Sequence, residues 1–171
     1  MVLIERTRIM RYEILELLEK NGKLSAAEIA AMLNMDETSV ANEIKAMENE
    51  KVICGYHALV DWEKINKETV TALIGVKISP VRGEGFDRIA TRISKFDEVV
   101  SVYLMSGSSH DLILTIEGES LREISRFVYE KIAPMDTVVS TATYFVLKKY
   151  KDHNVEMTDG PDDDERIQVM A

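Results

Sequence analysis

Positive charge, cysteine, proline and aromatic rings are all scarce in this chain. Of its 171 residues, 21 are Lys or Arg against 30 Asp or Glu, a formal net charge of −9. The single cysteine, Cys54, excludes an intrachain disulfide and a cysteine-rich metal site, and it makes a reducing, cytoplasmic compartment the natural expectation. Three prolines leave long stretches without a breaker. No apolar run approaches the roughly 20 residues of a membrane span. Glu5, Arg6, Arg8 and Arg11 interrupt any apolar signal-peptide core near the start. A membrane partner is therefore not expected.

What is present is a balanced globular composition, 46% apolar and 30% charged, enough for a packed core. The negative charge is unevenly placed. Residues 1–53 carry 7 basic and 10 acidic groups, residues 54–151 carry 13 of each, and residues 152–171 carry 1 basic and 7 acidic groups. The acidity is concentrated at the C-terminal end, so residues 150–171 read as an acidic, flexible tail.

Three helices fit the first 50 residues. Ile14, Leu15, Leu17 and Leu18 make an apolar face in "RIMRYEILELLEKNG", and Gly22 stands at its stop. Ser25 with Glu28 three residues later forms a capping box ahead of a stripe of Ile29, Ala30 and Leu33. Asp36 can cap a third helix with Val40, Ile44 and Met47 on its buried side. The short "NMD" turn between the second and third helices is the spacing of a helix-turn-helix, although a generic three-helix bundle fits the pattern too.

The third helix poses an electrostatic problem. Between Asp36 and Glu50 it carries five acids and one lysine. A helical wheel sorts them: Thr38, Asn42, Lys45, Ala46 and Asn49 lie opposite the buried direction, and Glu37, Glu43, Glu48 and Glu50 fall on the flanks. Asn can pair with adenine, Lys can reach guanine or phosphate, and Thr can contact a thymine methyl. The candidate DNA-contacting residues are Ser25, Thr38, Ser39, Asn42, Lys45 and Asn49, with Arg6, Arg8, Arg11, Lys20 and Lys23 as possible phosphate contacts.

After a polar connector the period changes. "VTALIGVKI", "EVVSVYLM", "HDLILTIE" and "VVSTATYFVL" are strand-like, and "EGFDRIATRISKF" and "SLREISRFVYEKI" are helical. The order β-α-β-β-α-β predicts a ferredoxin-like unit. The fold class is α+β: a winged-helix-like helix-turn-helix domain over 1–53, a hinge over 54–69, a βαββαβ domain over 70–149 and the tail over 150–171.

This arrangement resembles the Lrp/AsnC family of transcription regulators. The likeness is carried by "ILELLEKNGKLS" (14–25), "EIAAMLNM" (28–35), "VICGYHALVD" (52–61), "SG" followed by "HDLIL" (106–114), and "TATYFVL" (141–147). The resemblance implies a DNA-binding regulator, a homodimer formed through the βαββαβ domain and assembling to an octamer, and an amino acid or similar small effector. It places the effector at the turn between the second and third strands and on the last strand, which maps to Gly107, Ser108, Ser109, Asp111, Thr141 and Thr143. Backbone amides and hydroxyls there suit an α-carboxylate, and an acid suits an α-amino group; a plain hairpin turn fits the same residues. The family's aromatic in this turn is absent, with Ser109 and His110 in the middle.

Two other readings stand beside this one. A ligand-sensing oligomer whose helix-turn-helix has lost DNA fits the weak basicity of the third helix. Relatives that decarboxylate sirohaem-type tetrapyrroles share the architecture, but "VVSVYLMSGSSHD" lacks their histidine pattern and arginines. No nucleophile–base pairing, phosphate loop or metal motif is visible, so neither a cofactor nor enzyme activity is expected.

Overall fold

The computed structural model describes residues 2–79, 85–107 and 109–157, with side chains from residue 7 onward. The chain divides into two compact units between Leu59 and Val60, inside the segment read as a hinge.

The first unit holds α1 (Val2–Lys20), α2 (Ala26–Leu33) and α3 (Glu37–Asn49). α1 starts some six residues earlier than the sequence pattern suggests, since no Pro or Gly stands between Val2 and Arg8. Ile14, Ile29, Val40 and Met47 are fully buried, with Leu18 and Ala30 beside them. The capping box at Ser25 and the cap at Asp36 both form: Glu28 N–H donates to Ser25 Oγ at 3.2 Å, and Ser39 N–H donates to Asp36 Oδ2 at 2.8 Å.

Both α2 and α3 end in Schellman turns. Asn34, at φ 53°, closes α2, with Met35 N–H donating to Ala30 O at 2.8 Å. Lys51, at φ 60°, closes α3, with Val52 N–H donating to Met47 O at 2.9 Å and Lys51 N–H to Glu48 O at 3.1 Å. Asn tolerates the left-handed region. Lys51 occupies a position where glycine is the usual choice.

The second unit is a four-stranded antiparallel sheet in the order β2-β3-β1-β4, from β1 (Val70–Ile78), β2 (Val99–Leu104), β3 (Leu112–Gly118) and β4 (Val138–Phe145). Alternation puts Ala72, Ile74, Val76 and Ile78 of β1 and Leu112, Leu114 and Ile116 of β3 on one face. α4 (Asp87–Ile93) and α5 (Leu121–Phe127) cover that face through Ile89, Ile93, Ile124 and Phe127. α5 does not continue as a regular helix. It widens over Val128–Ile132 into a π turn closed by Ala133 N–H donating to Val128 O at 2.8 Å, and Val128 and Ile132 are buried with Phe127.

The segment read as a flexible tail is partly ordered. β5 (Lys151–Asp152) and β6 (Val155–Glu156) pair across His153 and Asn154. Both turn residues have positive φ, 44° and 65°, the signature of a type I′ hairpin, in which Asn is a favoured residue. Charge content alone had suggested a solvated end, but a two-residue turn signal outweighs it locally. The acidic run from residue 158 onward lies outside the described residues.

Candidate functional site: the α3 ridge and the β2–β3 turn

On α3, Thr38, Ser39, Asn42, Lys45 and Asn49 are exposed, whereas Ala46 is half-buried. Their hydrogen bonds separate their roles. Ser39 Oγ donates to Asp36 Oδ2 at 3.0 Å, and Ser25 Oγ donates to Glu28 Oε2 at 2.7 Å, so both hydroxyls are held by helix caps. The same Ser25 backbone N–H and hydroxyl hold the Glu28 carboxyl below its ordinary range. Thr38, Asn42, Lys45 and Asn49 have no side-chain partner among the described residues.

Three of the four acids on the flanks are engaged. Arg11 on α1 donates from Nε to Glu43 Oε2 at 2.7 Å, and from Nη1 and Nη2 to the two oxygens of Glu50 at 2.7 and 3.0 Å. The fork-to-carboxylate geometry suits Arg and not Lys. Hydrogen bonding to Glu50 first, then Glu43, raises the guanidinium further above its already high value, and the Arg11 contact depresses Glu50. Tyr56 Oη donates to Glu48 at 3.0 Å, and burial, reinforced by that carboxylate, pushes the phenol up. Arg11, read from sequence as a possible phosphate contact, is instead consumed within the unit. Of the four flanking acids only Glu37 lacks a side-chain partner among the described residues.

At the second candidate site the turn leaves β2 after Leu104 and enters β3 at Leu112. Gly107 and Ser109 are exposed, and Ser108 lies outside the described residues. Asp111 is built in: Oδ2 accepts from Ile78 N–H at 2.8 Å, and Oδ1 accepts from Lys77 Nζ at 3.0 Å. The Ile78 amide first, then Lys77, holds its carboxyl below the ordinary range. This bond ties the start of β3 to the end of β1, where the β1–β4 register slips between Lys77 and Ile78. Thr141 and Thr143 stand opposite Val76 and Ile74, hence on the helix-covered face, and both are half-buried. Thr143 is four β1 residues from Ile78, roughly 13 Å along the strand. The turn and Asp111 are adjacent, and Thr143 is not brought to them within one chain.

Sequence reasoning passed over the other sheet face. His110 lies across Gly75 of β1: a β-carbon on Gly75 would fall 2.5 Å from His110 Cδ2. The imidazole reaches on toward Tyr144 of β4, ring centroids 6.4 Å apart and edge to face. Gly75 in the middle of "VTALIGVKI" was the available signal, because a glycine inside a strand marks a close approach. Leu73, Tyr103, Met105 and Tyr144 are exposed large apolar residues in β1, β2 and β4 or just beyond, and Leu73, Tyr103 and Tyr144 share this uncovered face by register. Among the described residues no group of acids, His and Cys is placed to hold a metal, and no helix is long and apolar enough to cross a membrane.

Comparison with known proteins agrees with this anatomy. Residues 8–53 match the family described as winged helix-turn-helix DNA-binding, and residues 71–156 match the Lrp/AsnC ligand binding domain. The chain is 48% identical over 158 residues to an uncharacterized HTH-type transcriptional regulator, YugG, of Bacillus subtilis, covering 92% of this chain and 94% of the relative. It is 24% identical over 143 residues to a proline dehydrogenase transcriptional activator of Rhizobium radiobacter, covering 84% and 90%. Among solved structures, a transcriptional regulator of Neisseria meningitidis in complex with L-methionine aligns with a TM-score of 0.65 at 25% identity, covering 84% and 91%. With both units matched in order and a close relative spanning nearly the whole length, this chain belongs to the Lrp/AsnC family of helix-turn-helix transcriptional regulators.

Proposed function

We infer that the chain binds a near-palindromic DNA site through the Thr38–Asn42–Lys45–Asn49 ridge, weakly and with marked salt sensitivity, as a dimer. The observation that carries this reading is the partnerless ridge between acids that Arg11 and Tyr56 already occupy. With Glu43, Glu48 and Glu50 engaged, the face offered to DNA is neutral to basic despite the helix's composition. One lysine per helix releases few counterions, so two copies must engage two half-sites together. Ser25 and Ser39 serve by shaping the helix starts.

The second unit dimerises through its uncovered sheet face and responds to an amino acid, with dimers assembling further to an octamer. The methionine-bound neighbour and the activator of proline dehydrogenase support an amino-acid effector. Gly107, Ser108 and Ser109 would present amides and hydroxyls to a carboxylate where a second copy completes the turn, with Thr141 and Thr143 as secondary contributors. The protein acts in the cytoplasm.

Fluorescence-anisotropy titration on the chain's own upstream DNA, at several salt concentrations and with pooled amino acids added, tests the reading. Asn42→Ala should reduce discrimination between cognate and scrambled sites more than it reduces affinity, and Lys45→Glu should reduce both. A Lys45→Glu protein that binds like wild type at every salt concentration would remove α3 from the interface. No binding to any fragment at low salt would favour a sensor that has abandoned DNA.

A further inference from the structure

A cavity of about 270 Å³ opens where the end of β1 meets α4 and the segment leading into β4. Its floor is apolar: Ile78, Ile89 and Met135 line it, each less than a tenth exposed. Its rim carries Arg88, which is already engaged in an interaction of its own, and Arg92 from α4, with Asp136 and Thr137 from the chain entering β4. Neither the Arg92 guanidinium nor the Asp136 carboxylate has a hydrogen bond or ion pair among the described residues, so the two charges face the same opening without pairing to each other.

That combination has a specific chemistry. A cation beside an apolar floor suits a carboxylate, and an anion lining the same opening suits an ammonium group. The volume lies at the lower limit for small-molecule pockets, which excludes nucleotide-sized ligands. The turn at 105–111 differs in its charge. Its one carboxylate, on Asp111, is taken up by Ile78 N–H and Lys77.

We propose that this cavity is an amino-acid site formed within a single chain, taking an apolar α-amino acid with its side chain on Ile78, Ile89 and Met135, its carboxylate on Arg92 and its ammonium on Asp136. The proposal rests on the amino-acid-sensing reading above. It adds a site that needs no second copy and so can fill before assembly.

Calorimetric titration of the full chain with L-leucine and L-methionine tests it. Two leucine analogues serve as probes of each charge: 4-methylpentanoate, which lacks the amine, and 3-methylbutylamine, which lacks the carboxylate. Arg92→Gln and Asp136→Asn alter exposed side chains and should fold normally, as circular dichroism would verify. Each should weaken the bound amino acid about tenfold, the loss expected of one charge-assisted contact. Arg92→Gln should leave the amine analogue unaffected, and Asp136→Asn the carboxylate analogue. Met135→Trp, which fills the floor, should abolish binding; if it fails to fold, the two charge variants decide alone. Wild-type binding that persists unchanged in Arg92→Gln and Asp136→Asn, and is lost in Ser109→Ala, overturns the cavity site and leaves amino-acid sensing intact at the turn. No binding of either amino acid to the wild type overturns this site and counts against sensing itself.

Discussion

Lys51 holds a left-handed backbone at the end of α3 because the Schellman hydrogen bonds from Lys51 and Val52 require it. A β-carbon there costs on the order of 1 kcal/mol. Lys51→Gly should therefore stabilise the first unit by about 0.5–1 kcal/mol, read as a rise of a few degrees in thermal midpoint. A fall would mean that the lysine side chain contributes more than the backbone strain removes. Asp111 makes a second residue-scale case, with a pH signature. Its folded carboxyl titrates below the ordinary range because Ile78 N–H and Lys77 favour the charged form. As pH falls the unfolded chain binds that proton first, so the contribution is complete above the ordinary carboxylate pKa. It erodes on acidification and is spent once the folded group is protonated. Thermal melts in a pH series should show a shallower acid-side decline for Asp111→Asn than for wild type. Parallel curves would remove Asp111 from the acid limb. Both residues stand out in the sequence, one as a lysine where glycine is usual and one as an acid at a strand start. Only the coordinates supply the φ angle and the two partners.

At the scale of elements, α3 is oriented and discharged by α1 through one guanidinium. Glu43 on α3 and Glu50 at its C-cap lie seven residues apart, two turns along one side, so a single Arg11 fork spans both. Arg11→Ala should leave the helices folded but free two carboxylates beside the ridge proposed to face DNA, within a Debye length of phosphate bound there. DNA affinity should drop roughly threefold to tenfold although Arg11 itself touches no DNA in this reading. Arg11→Lys should recover only part of it, because an ammonium cannot bond both acids in a fork. Anisotropy titrations at low salt measure this, and the difference from wild type should shrink as salt rises; an unchanged affinity in Arg11→Ala would mean that the acids do not reach the interface. The helix and its acidic flanks were legible in the heptad-like spacing of Val40, Ile44 and Met47. The neutralising partner was not, since it sits 32 and 39 residues away in sequence.

For the whole molecule, the decisive feature is that, among the described residues, helices cover only one face of the sheet. Helices α4 and α5 cover the face of Ile74, Val76 and Leu114, while Leu73, Tyr103 and Tyr144 remain exposed on the other. Such a face favours self-association, since burying it against a copy removes large apolar side chains from water. Leu73→Asp, directed into that face, should shift the protein toward monomer in sedimentation velocity. It should weaken DNA binding by at least about tenfold through loss of the paired half-site contact. A Leu73→Asp protein that stays dimeric would move the interface elsewhere. The order of strands and helices was readable from the change of hydrophobic period at Val70, and so was the ferredoxin-like class. The bare face was not, because alternation within a strand shows that two faces differ without showing which one helices cover.

Local signals alone determined a great deal of this protein: the caps at Ser25 and Asp36, the α3 ridge, the βαββαβ order and the family. These depend on interactions within a few residues, where spacing is a sufficient guide to geometry. Tertiary structure alone decided which charges cancel and which surfaces remain open. Arg11 meets Glu43 and Glu50, Lys77 meets Asp111, and His110 lies over Gly75 because chain segments distant in sequence pack together. Side-chain pairing depends on distances of 3–4 Å that no linear pattern encodes. So the five acids of an apparently unfavourable helix were visible from the outset, and it took the fold to show that four of them are already occupied.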